Sequence, residues 1–258
     1  MMGKKLVLFI FIFSFLFSGC VVEPVRPKAN KERAVQSYIS AGMEYMKLGD
    51  MERANRHLTR ALEINSKSPE AHNSIALLYQ ATKDTKLAEK HFQKAIRYGD
   101  NYSAAENNYG SFLFALGRYE DAIEHLSEAA NNPIYESRGQ AHENLGRCYL
   151  ALDDEAKAKE SFERSIVINA KLSRGYLELA DIALKKKDLR DAKRNIDRFN
   201  DLAKKTPRSL WIGIQIERVL GDKNLLSSYE LTLKNLYPDS KEFRLYQESM
   251  KNGKSGES

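Results

Sequence analysis

The stretch Leu48–Ala54 reads LGDMERA, and the stretch Leu116–Ala122, which begins 68 residues further on, reads LGRYEDA. Both begin with leucine and glycine, continue with charged residues and end on alanine. A glycine permits a tight turn, and the polar residues after it suit the start of a helix. The interval of 68 residues is two periods of 34, which indicates that the chain is built from repeated units.

Four series of residues follow this period from Val35 onward. Their spacings are 34, 34, 36 and 34 residues, so that all four share one insertion of two residues. The series are small residues at Gly42, Ala76, Gly110, Gly146 and Ala180; alanines at Ala54, Ala88, Ala122, Ala158 and Ala192; large apolar residues at Leu58, Phe92, Leu126, Phe162 and Ile196; and Tyr45, Tyr79, Leu113, Tyr149 and Ala183. Four independent series with one period are not a product of chance.

This period and pattern are similar to those of tetratricopeptide repeats, in which each unit is a hairpin of two amphipathic helices. The apolar stripes of such helices need neighbours on both sides, so the hairpins stack. We therefore predict an all-α fold, a right-handed superhelix (solenoid) of six tetratricopeptide hairpins. The predicted units are 35–68, 69–102, 103–136, 139–172, 173–206 and 207–240.

The C-terminal end departs from the pattern. A strict period places Leu226 at the alanine position of the sixth unit and Glu230 at the large apolar position, which predicts a degenerate end unit. Residues 241–250, KEFRLYQESM, are predicted to form a capping helix that closes the stack. The polar residues 251–258 are predicted to be a disordered tail.

The composition excludes several classes of protein. The 258 residues include 6 prolines, 14 glycines and 2 cysteines, which is unlike collagen, a disulfide-stapled small domain or a wholly disordered chain. Lysine and arginine number 41 against 35 acidic residues, and the net charge of +6 is dispersed through segments of mixed sign. So small an excess does not point to a nucleic-acid partner.

The N-terminus has the pattern of a signal peptide. Two lysines precede the apolar stretch from Leu6 to Phe17, which is too short to cross a bilayer comfortably. Phe17-Ser18-Gly19-Cys20 resembles a bacterial lipobox, although leucine is more usual where Phe17 stands. The resemblance implies that residues 1–19 are cleaved and that Cys20 carries a covalent lipid. The alternative is an ordinary secretory signal with a coincidental cysteine.

The segment 20–34 is then predicted to be an extended tether between the lipid and the first unit, because it contains Pro24 and Pro27 and has no helical period. Val21, rather than aspartate, follows the cysteine, which by resemblance to bacterial sorting rules favours the outer membrane. Cys148 is the second cysteine, and its place in the repeat predicts a small buried core residue.

No motif of a catalytic or cofactor site is present in the sequence. His57, His91 and His125 share one repeat position, but stacked units lie about 8–10 Å apart, whereas zinc needs its ligands about 2 Å from one point. We therefore interpret these histidines as structural. The sequence predicts no enzyme activity, no metal, no small-molecule substrate and no cofactor other than the lipid on Cys20.

A binding surface is expected on the concave face of the superhelix, which the first helices of the units line. By resemblance to the repeat family, this groove is predicted to contain Ile39, Met43, Met46, Asn73, Leu77, Asn107, Ser111, Phe114, Glu143, Arg147 and Leu150. Its methionine and other apolar side chains suit a peptide or helix of a protein partner, and the amides of Asn73 and Asn107 suit the backbone of that partner. The alternative is that these residues only pack between neighbouring first helices.

Taken over its whole length, the chain resembles the type IV pilus biogenesis and stability lipoproteins, the PilF/PilW group of pilotins. The resemblance rests on the lipobox, the tether, six units without a further domain, and the phrases YISAGMEY at Tyr38–Tyr45 and NNYG at Asn107–Gly110. It implies a non-catalytic protein at the periplasmic face of the outer membrane that helps the pilus secretin to localise, assemble and remain stable. On its own the protein is expected to be monomeric. Two alternatives stay open: a general periplasmic scaffold for cell-envelope enzymes, and an unrecognised enzyme.

Overall fold

A computed structural model describes residues 28–255, which form thirteen α-helices. Cys20 and the predicted signal peptide lie outside the described residues. The helices are α1 (Lys28–Lys47), α2 (Met51–Ile64), α3 (Pro69–Ala81), α4 (Thr85–Tyr98), α5 (Ser103–Ala115), α6 (Tyr119–Asn131), α7 (Arg138–Ala151), α8 (Glu155–Ile168), α9 (Ser173–Lys185), α10 (Leu189–Leu202), α11 (Pro207–Leu220), α12 (Lys223–Leu236) and α13 (Lys241–Ser255).

Consecutive helices pair into six hairpins, from α1 with α2 to α11 with α12, and α13 packs against α11. Each hairpin also contacts the next one, so the hairpins stack in chain order. The predicted all-α solenoid of tetratricopeptide hairpins with a capping helix is confirmed. None of the helices in residues 28–255 has the length and apolar character needed to cross a bilayer.

The turn inside each hairpin explains why the second helix begins where it does. In five hairpins an aspartate precedes the second helix and its carboxylate accepts a hydrogen bond from a backbone N–H in the first turn of that helix, as Asp50 Oδ1 does from Arg53 N at 2.9 Å. The capping residues are Asp50, Asp84, Asp154, Asp188 and Asp222. In the third hairpin Arg118 holds this position, after Gly117, whose φ of 77° is in the left-handed region.

The small residues of the first helices mark close approaches between paired helices. A Cβ atom on Gly110 of α5 would lie 2.5 Å from Leu126 Cγ of α6. One on Gly146 of α7 would lie 2.7 Å from the Phe162 ring of α8. Both partners are fully buried, so the large apolar series fills the space that the small series leaves, as predicted.

The second to fourth hairpins share one continuous core. It includes Phe92, Phe112, Leu126 and Cys148, so it joins helices α4 to α7. Cys148 is fully buried, and burial raises the pKa of its thiol to about 11. A thiol in that environment stays protonated and unreactive, which confirms the prediction of a core residue.

Two boundaries differ from the sequence prediction. Helix α1 begins at Lys28, so the segment 28–34 is helical and is not part of an extended tether. The reason is that residues 28–34 are strong helix formers apart from Asn30, and no proline follows Pro27 there. At the other end, α13 continues to Ser255, beyond the predicted boundary at residue 250.

The sixth hairpin keeps the pattern of the others in a shifted register. Gly213 of α11 is its small residue, and a Cβ atom there would lie 2.6 Å from the Tyr229 ring of α12. Gly213 follows Ala180 by 33 residues, and Tyr229 follows Ile196 by 33. The assignment of Glu230 to the large apolar position is therefore wrong. Asp222 still follows Asp188 by 34 residues, so the period is kept, and the contact between the two helices lies one residue earlier on each of them. Leu226, which the period places at the alanine position, is partly buried against the same cluster as Tyr229.

Candidate functional site

The candidate binding surface is formed by successive first helices, α1, α3, α5, α7, α9 and α11. In the second to fourth units these helices are joined by asparagine side chains. Asn108 Nδ2 donates to Asn73 Oδ1 at 3.1 Å, and Asn144 Nδ2 donates to Asn107 Oδ1 at 3.1 Å and to Ser111 Oγ at 2.9 Å. This amide ladder fixes α3, α5 and α7 relative to one another.

The ladder changes the interpretation of four predicted groove residues. Asn73 and Asn107 are each only 7% exposed, and their amide oxygens are occupied by the ladder. Ile39 is buried in the core of the first hairpin, and Glu143 is buried against α9. These four residues pack between helices because the first helices lie close together, so their predicted contact with a partner is corrected to a structural role.

The other seven predicted residues remain at the surface. They are half-buried, which leaves part of each side chain open to a partner. We call this set the first-helix groove; it consists of Met43, Met46, Leu77, Ser111, Phe114, Arg147 and Leu150. Whether these residues bind a partner stays a prediction.

The groove is apolar at its N-terminal end. Met43 and Met46 lie on the core of the first hairpin, and Leu77 and Phe114 lie on the core of the second to fourth hairpins. The Phe114 ring is held between Tyr119, with a centroid distance of 5.4 Å, and the Arg147 guanidinium, 4.2 Å from the ring centroid. Flexible methionine and a supported aromatic ring suit an apolar segment of a partner.

Beyond Arg147 the surface of the first helices becomes charged and internally paired. Arg208 of α11 donates to both carboxylate oxygens of Glu178 at 2.7 Å and to Asp181 Oδ2 at 2.9 Å. These hydrogen bonds raise the pKa of the Arg208 guanidinium. Arg174 of α9 lies 3.8 Å from Glu143 Oε1. This network was not predicted; its only signal in the sequence is that acidic residues are followed about one period later by arginines.

The structure also shows how the repeated histidines are used. His72 and His91 form a pair with 3.0 Å between their Nδ1 atoms, and His72 Nε2 lies 3.1 Å from the carbonyl oxygen of Ser66. His125 Nδ1 contacts Glu106 Oε2 at 2.7 Å, and His57 stacks on Tyr45. Within residues 28–255 no three histidine, cysteine, aspartate or glutamate side chains group together as a metal site.

The histidine pair predicts a pH-dependent stability. Burial lowers the pKa of both imidazoles, that of His91 to about 4, with a further contribution from the neighbouring Lys94. The unfolded chain binds these protons near pH 6.5, so the stability present above pH 6.5 is lost as the pH falls towards 4. We expect the pair to account for about 2 kcal/mol of this loss.

Urea unfolding at several pH values tests this expectation. His91→Gln keeps a donor for His72 but removes one titrating group, so its free energy of unfolding should fall less steeply than that of the wild type between pH 7 and pH 4.5. Parallel pH profiles for the two proteins would show that the pair does not titrate as described.

One further surface was not predicted. A cleft of about 560 Å³ opens between α8, α9 and α10, with Ile166, Tyr176 and Leu179 in its floor. Its rim carries charges of both signs that pair with each other, for example Arg194 with Asp191 at 2.8 Å. Because Arg194 and Asp191 neutralise each other, this pair does not attract a charged ligand to the cleft.

Comparison with known proteins agrees with this architecture. Models of the tetratricopeptide repeat match residues 39–103 and 101–171. The type IV pilus assembly protein PilF of Pseudomonas aeruginosa is 34% identical over 242 residues, which cover 92% of this chain and 96% of PilF. An uncharacterised protein of Haemophilus influenzae is 23% identical over 168 residues, covering 65% of this chain and 93% of its own.

Solved structures give the same result. A structure of Pseudomonas aeruginosa PilF matches with a TM-score of 0.82 and 35% identity, covering 85% of this chain and 99% of that one. PilW, described as a widely conserved type IV pilus biogenesis factor, matches in fold with a TM-score of 0.71 and 24% identity, over 83% of this chain and 98% of PilW.

The stacked hairpins and the repeat matches define a tetratricopeptide-repeat protein, a class whose surfaces are built for contact with other proteins. Within that class, the extent of the similarity to PilF is decisive. The chain belongs to the family of tetratricopeptide-repeat proteins of type IV pilus biogenesis that includes PilF and PilW.

Proposed function

We propose that this protein is a non-catalytic adaptor of type IV pilus assembly that binds the pilus secretin through the first-helix groove. A lipid on Cys20 holds it at the periplasmic face of the outer membrane. There it promotes the localisation of the secretin and the assembly of stable secretin multimers. Family membership supports the role in pilus biogenesis, whereas the secretin and the lipid follow from the lipobox and the resemblance of the sequence.

The observation that carries the proposal is the half-buried apolar strip of the groove. Met43, Met46, Leu77 and Phe114 lie on three neighbouring first helices, and each is supported from below by a hydrophobic core. A strip of this kind fits an amphipathic helix or an extended segment that places apolar anchors into it. Because the amide ladder holds α3, α5 and α7 in place, the central part of the strip is ordered before the partner arrives, which lowers the cost of binding.

The lipid then supplies the second part of the mechanism. Each buried methylene group contributes about 0.8 kcal/mol to membrane binding, so a cysteine with several acyl chains stays attached. Confinement to the membrane raises the effective concentration of the groove near a membrane-bound partner, and a weak contact becomes sufficient. Sorting of the lipidated adaptor would carry the bound secretin to the outer membrane.

Replacement of Cys20 tests the anchor. Cys20→Ser is expected to leave the hairpins folded, because Cys20 precedes helix α1, but to reduce secretin multimers in the outer membrane about tenfold or more through loss of effective concentration. Membrane fractionation followed by detection of multimers in each fraction is the measurement, and circular dichroism of the variant checks the fold. Normal outer-membrane multimers in this variant would reject the anchoring mechanism.

Co-purification from membranes tests the partner. The wild-type protein should retain the secretin, and Phe114→Ala, which truncates the ring at the centre of the groove, should retain several times less. Ile134→Ala is the matched control, because Ile134 is an equally apolar residue, 85% exposed, in the loop between α6 and α7. Retention of cell-wall enzymes in place of the secretin would favour the general scaffold that the sequence analysis left open.

A further inference from the structure

We propose that Arg147 is an anion anchor in the first-helix groove, and that the groove selects partner segments in which an acidic residue is flanked by apolar residues. This inference rests on the proposed function and adds the chemistry of the segment that is bound. The ligand it describes is a carboxylate on a protein chain.

Arg147 differs from Arg174 and Arg208, which follow it on the next two first helices, in lacking a carboxylate partner. Arg174 lies 3.8 Å from Glu143, and Arg208 makes three hydrogen bonds to Glu178 and Asp181. Within residues 28–255 no carboxylate oxygen lies within 4.0 Å of the Arg147 guanidinium nitrogens. A half-buried arginine without a counter-charge is unfavourable, and an arriving carboxylate would remove that penalty.

The acidic groups closest to Arg147 are already engaged. Glu143 accepts a hydrogen bond from Gln140 at 3.1 Å in addition to its contact with Arg174, and both oxygens of Glu178 are used by Arg208. Burial and the charge of Arg174 lower the pKa of Arg147. Glu143 and Glu178 raise that pKa in part, but neither forms an ion pair with Arg147, so its guanidinium is left for a carboxylate from outside the chain.

The geometry of the side chain suits a carboxylate. The guanidinium carbon lies 4.2 Å from the centroid of the Phe114 ring, and this contact holds the group against α5. Of its five N–H donors, one makes a long hydrogen bond of 3.4 Å to Asn144 Oδ1 in the described part of the chain. The remaining N–H groups have no acceptor in the described part of the chain, and two neighbouring N–H groups of a guanidinium match the two oxygens of a carboxylate.

The residues around Arg147 indicate which side chains should flank the acidic residue in the partner segment. Leu77 and Phe114 lie on the first helices before it, and Leu150 lies one helical turn after it on α7; all three are half-buried. These side chains can contact apolar groups of a partner, but they have no charged or hydrogen-bonding atoms with which to bind a second charged group. A segment with apolar residues beside aspartate or glutamate satisfies both parts of the surface, whereas a phosphate-rich ligand satisfies only the arginine.

Selection of peptides tests the inference without reference to the secretin. The full-length chain, purified in detergent and immobilised, is used to select binders from a phage-displayed library of random dodecapeptides. Selected peptides are expected to be enriched in aspartate or glutamate next to leucine, phenylalanine or methionine. The strongest peptide is then synthesised with its acid and with the corresponding amide, and the two dissociation constants are compared.

The amide form should bind at least about tenfold more weakly to the wild type, and Arg147→Gln should bind both forms equally weakly. Arg147→Lys should recover part of the preference, because it keeps the charge but loses the planar fork. Arg97→Gln, a change at an exposed arginine of the second helix α4, is the matched control and should behave as the wild type. Circular dichroism verifies that each variant is folded.

The inference would be overturned if the amide form of a selected peptide bound as tightly as the acid form, or if no peptide were selected. It would also be overturned if Arg147→Gln kept the wild-type preference for the acid form. These results are independent of secretin co-purification. If the secretin is retained but the peptides show no acid dependence, the inference fails and the proposed function stands. If acid-dependent peptides are found but the secretin is not retained, the proposed partner fails and the chemistry of the groove stands.

Discussion

Gly110→Val is expected to lower the free energy of unfolding by about 3 kcal/mol. The reason is that even the Cβ atom of the new side chain would lie 2.5 Å from Leu126 Cγ and 3.0 Å from the carbonyl oxygen of Ala122. Leu126 is fully buried in the core that joins the second to fourth hairpins, so it has no free space into which to move. Urea unfolding followed by far-ultraviolet circular dichroism measures the change.

A second substitution separates steric overlap from a general defect of the helix. Leu126→Ala removes the side chain that Gly110→Val would strike, so the double variant should be more stable than the sum of the two single changes predicts. Ala115→Val, at the exposed end of the same helix, is the control and should cost less than about 1 kcal/mol. Additive effects of the two substitutions would contradict the close contact.

Tyr229→Ala is expected to destabilise the last hairpin by about 3 to 4 kcal/mol, whereas Glu230→Ala, one residue later, should cost less than about 1 kcal/mol. Tyr229 is 3% exposed, its ring lies against Gly213, and its hydroxyl oxygen accepts a hydrogen bond from Asn200 at 3.2 Å. Glu230 makes one ion pair with Arg218 at 3.7 Å.

The fluorescence of Trp211, the only tryptophan of the chain, reports on this hairpin because it packs on the same cluster as Tyr229. In Tyr229→Ala the fluorescence transition should move to lower urea concentration than the circular dichroism transition, since terminal units of a solenoid can unfold separately. Equal effects of the two substitutions would support the strict period that places Glu230 in the core.

The sequence was sufficient for the fold because the information was repeated. The contact of Gly110 with Leu126, for example, recurs as Gly146 with Phe162, so the period identifies both partners without coordinates. The register of the sixth hairpin was missed because its two helices touch one residue earlier on each side, at Gly213 and Tyr229, while Asp222 keeps the period of 34. A strict count of 34 then selects Glu230 in place of Tyr229. The start of α1 was missed because two prolines dominated the composition of a segment whose second half favours a helix.

The candidate site was harder to predict, since the sequence shows which residues share a face but not how deeply they lie. Asn73 and Asn107 share their repeat position with Ile39 and Glu143, and all four are buried although their helices line the groove. In the described part of the chain Arg147 has no carboxylate partner, because Glu143 and Glu178 pair with arginines one unit further on. Which acid pairs with which arginine depends on distances in the folded protein, and the sequence does not give those distances.

The amide ladder also bears on how the hairpins find their correct neighbours in the stack. Asn108 and Asn144 are 36 residues apart, one period with its insertion, and each donates to the asparagine of the unit before it. The contact between amides is thus the same at both junctions, and it sets how far one hairpin slides along the next. The additional hydrogen bond from Asn144 Nδ2 to Ser111 Oγ distinguishes the second junction, because Leu77 stands at the position of Ser111 one unit earlier. The order of neighbours then depends on that hydrogen bond, on the differing shapes of the apolar side chains and on the covalent continuity of the chain.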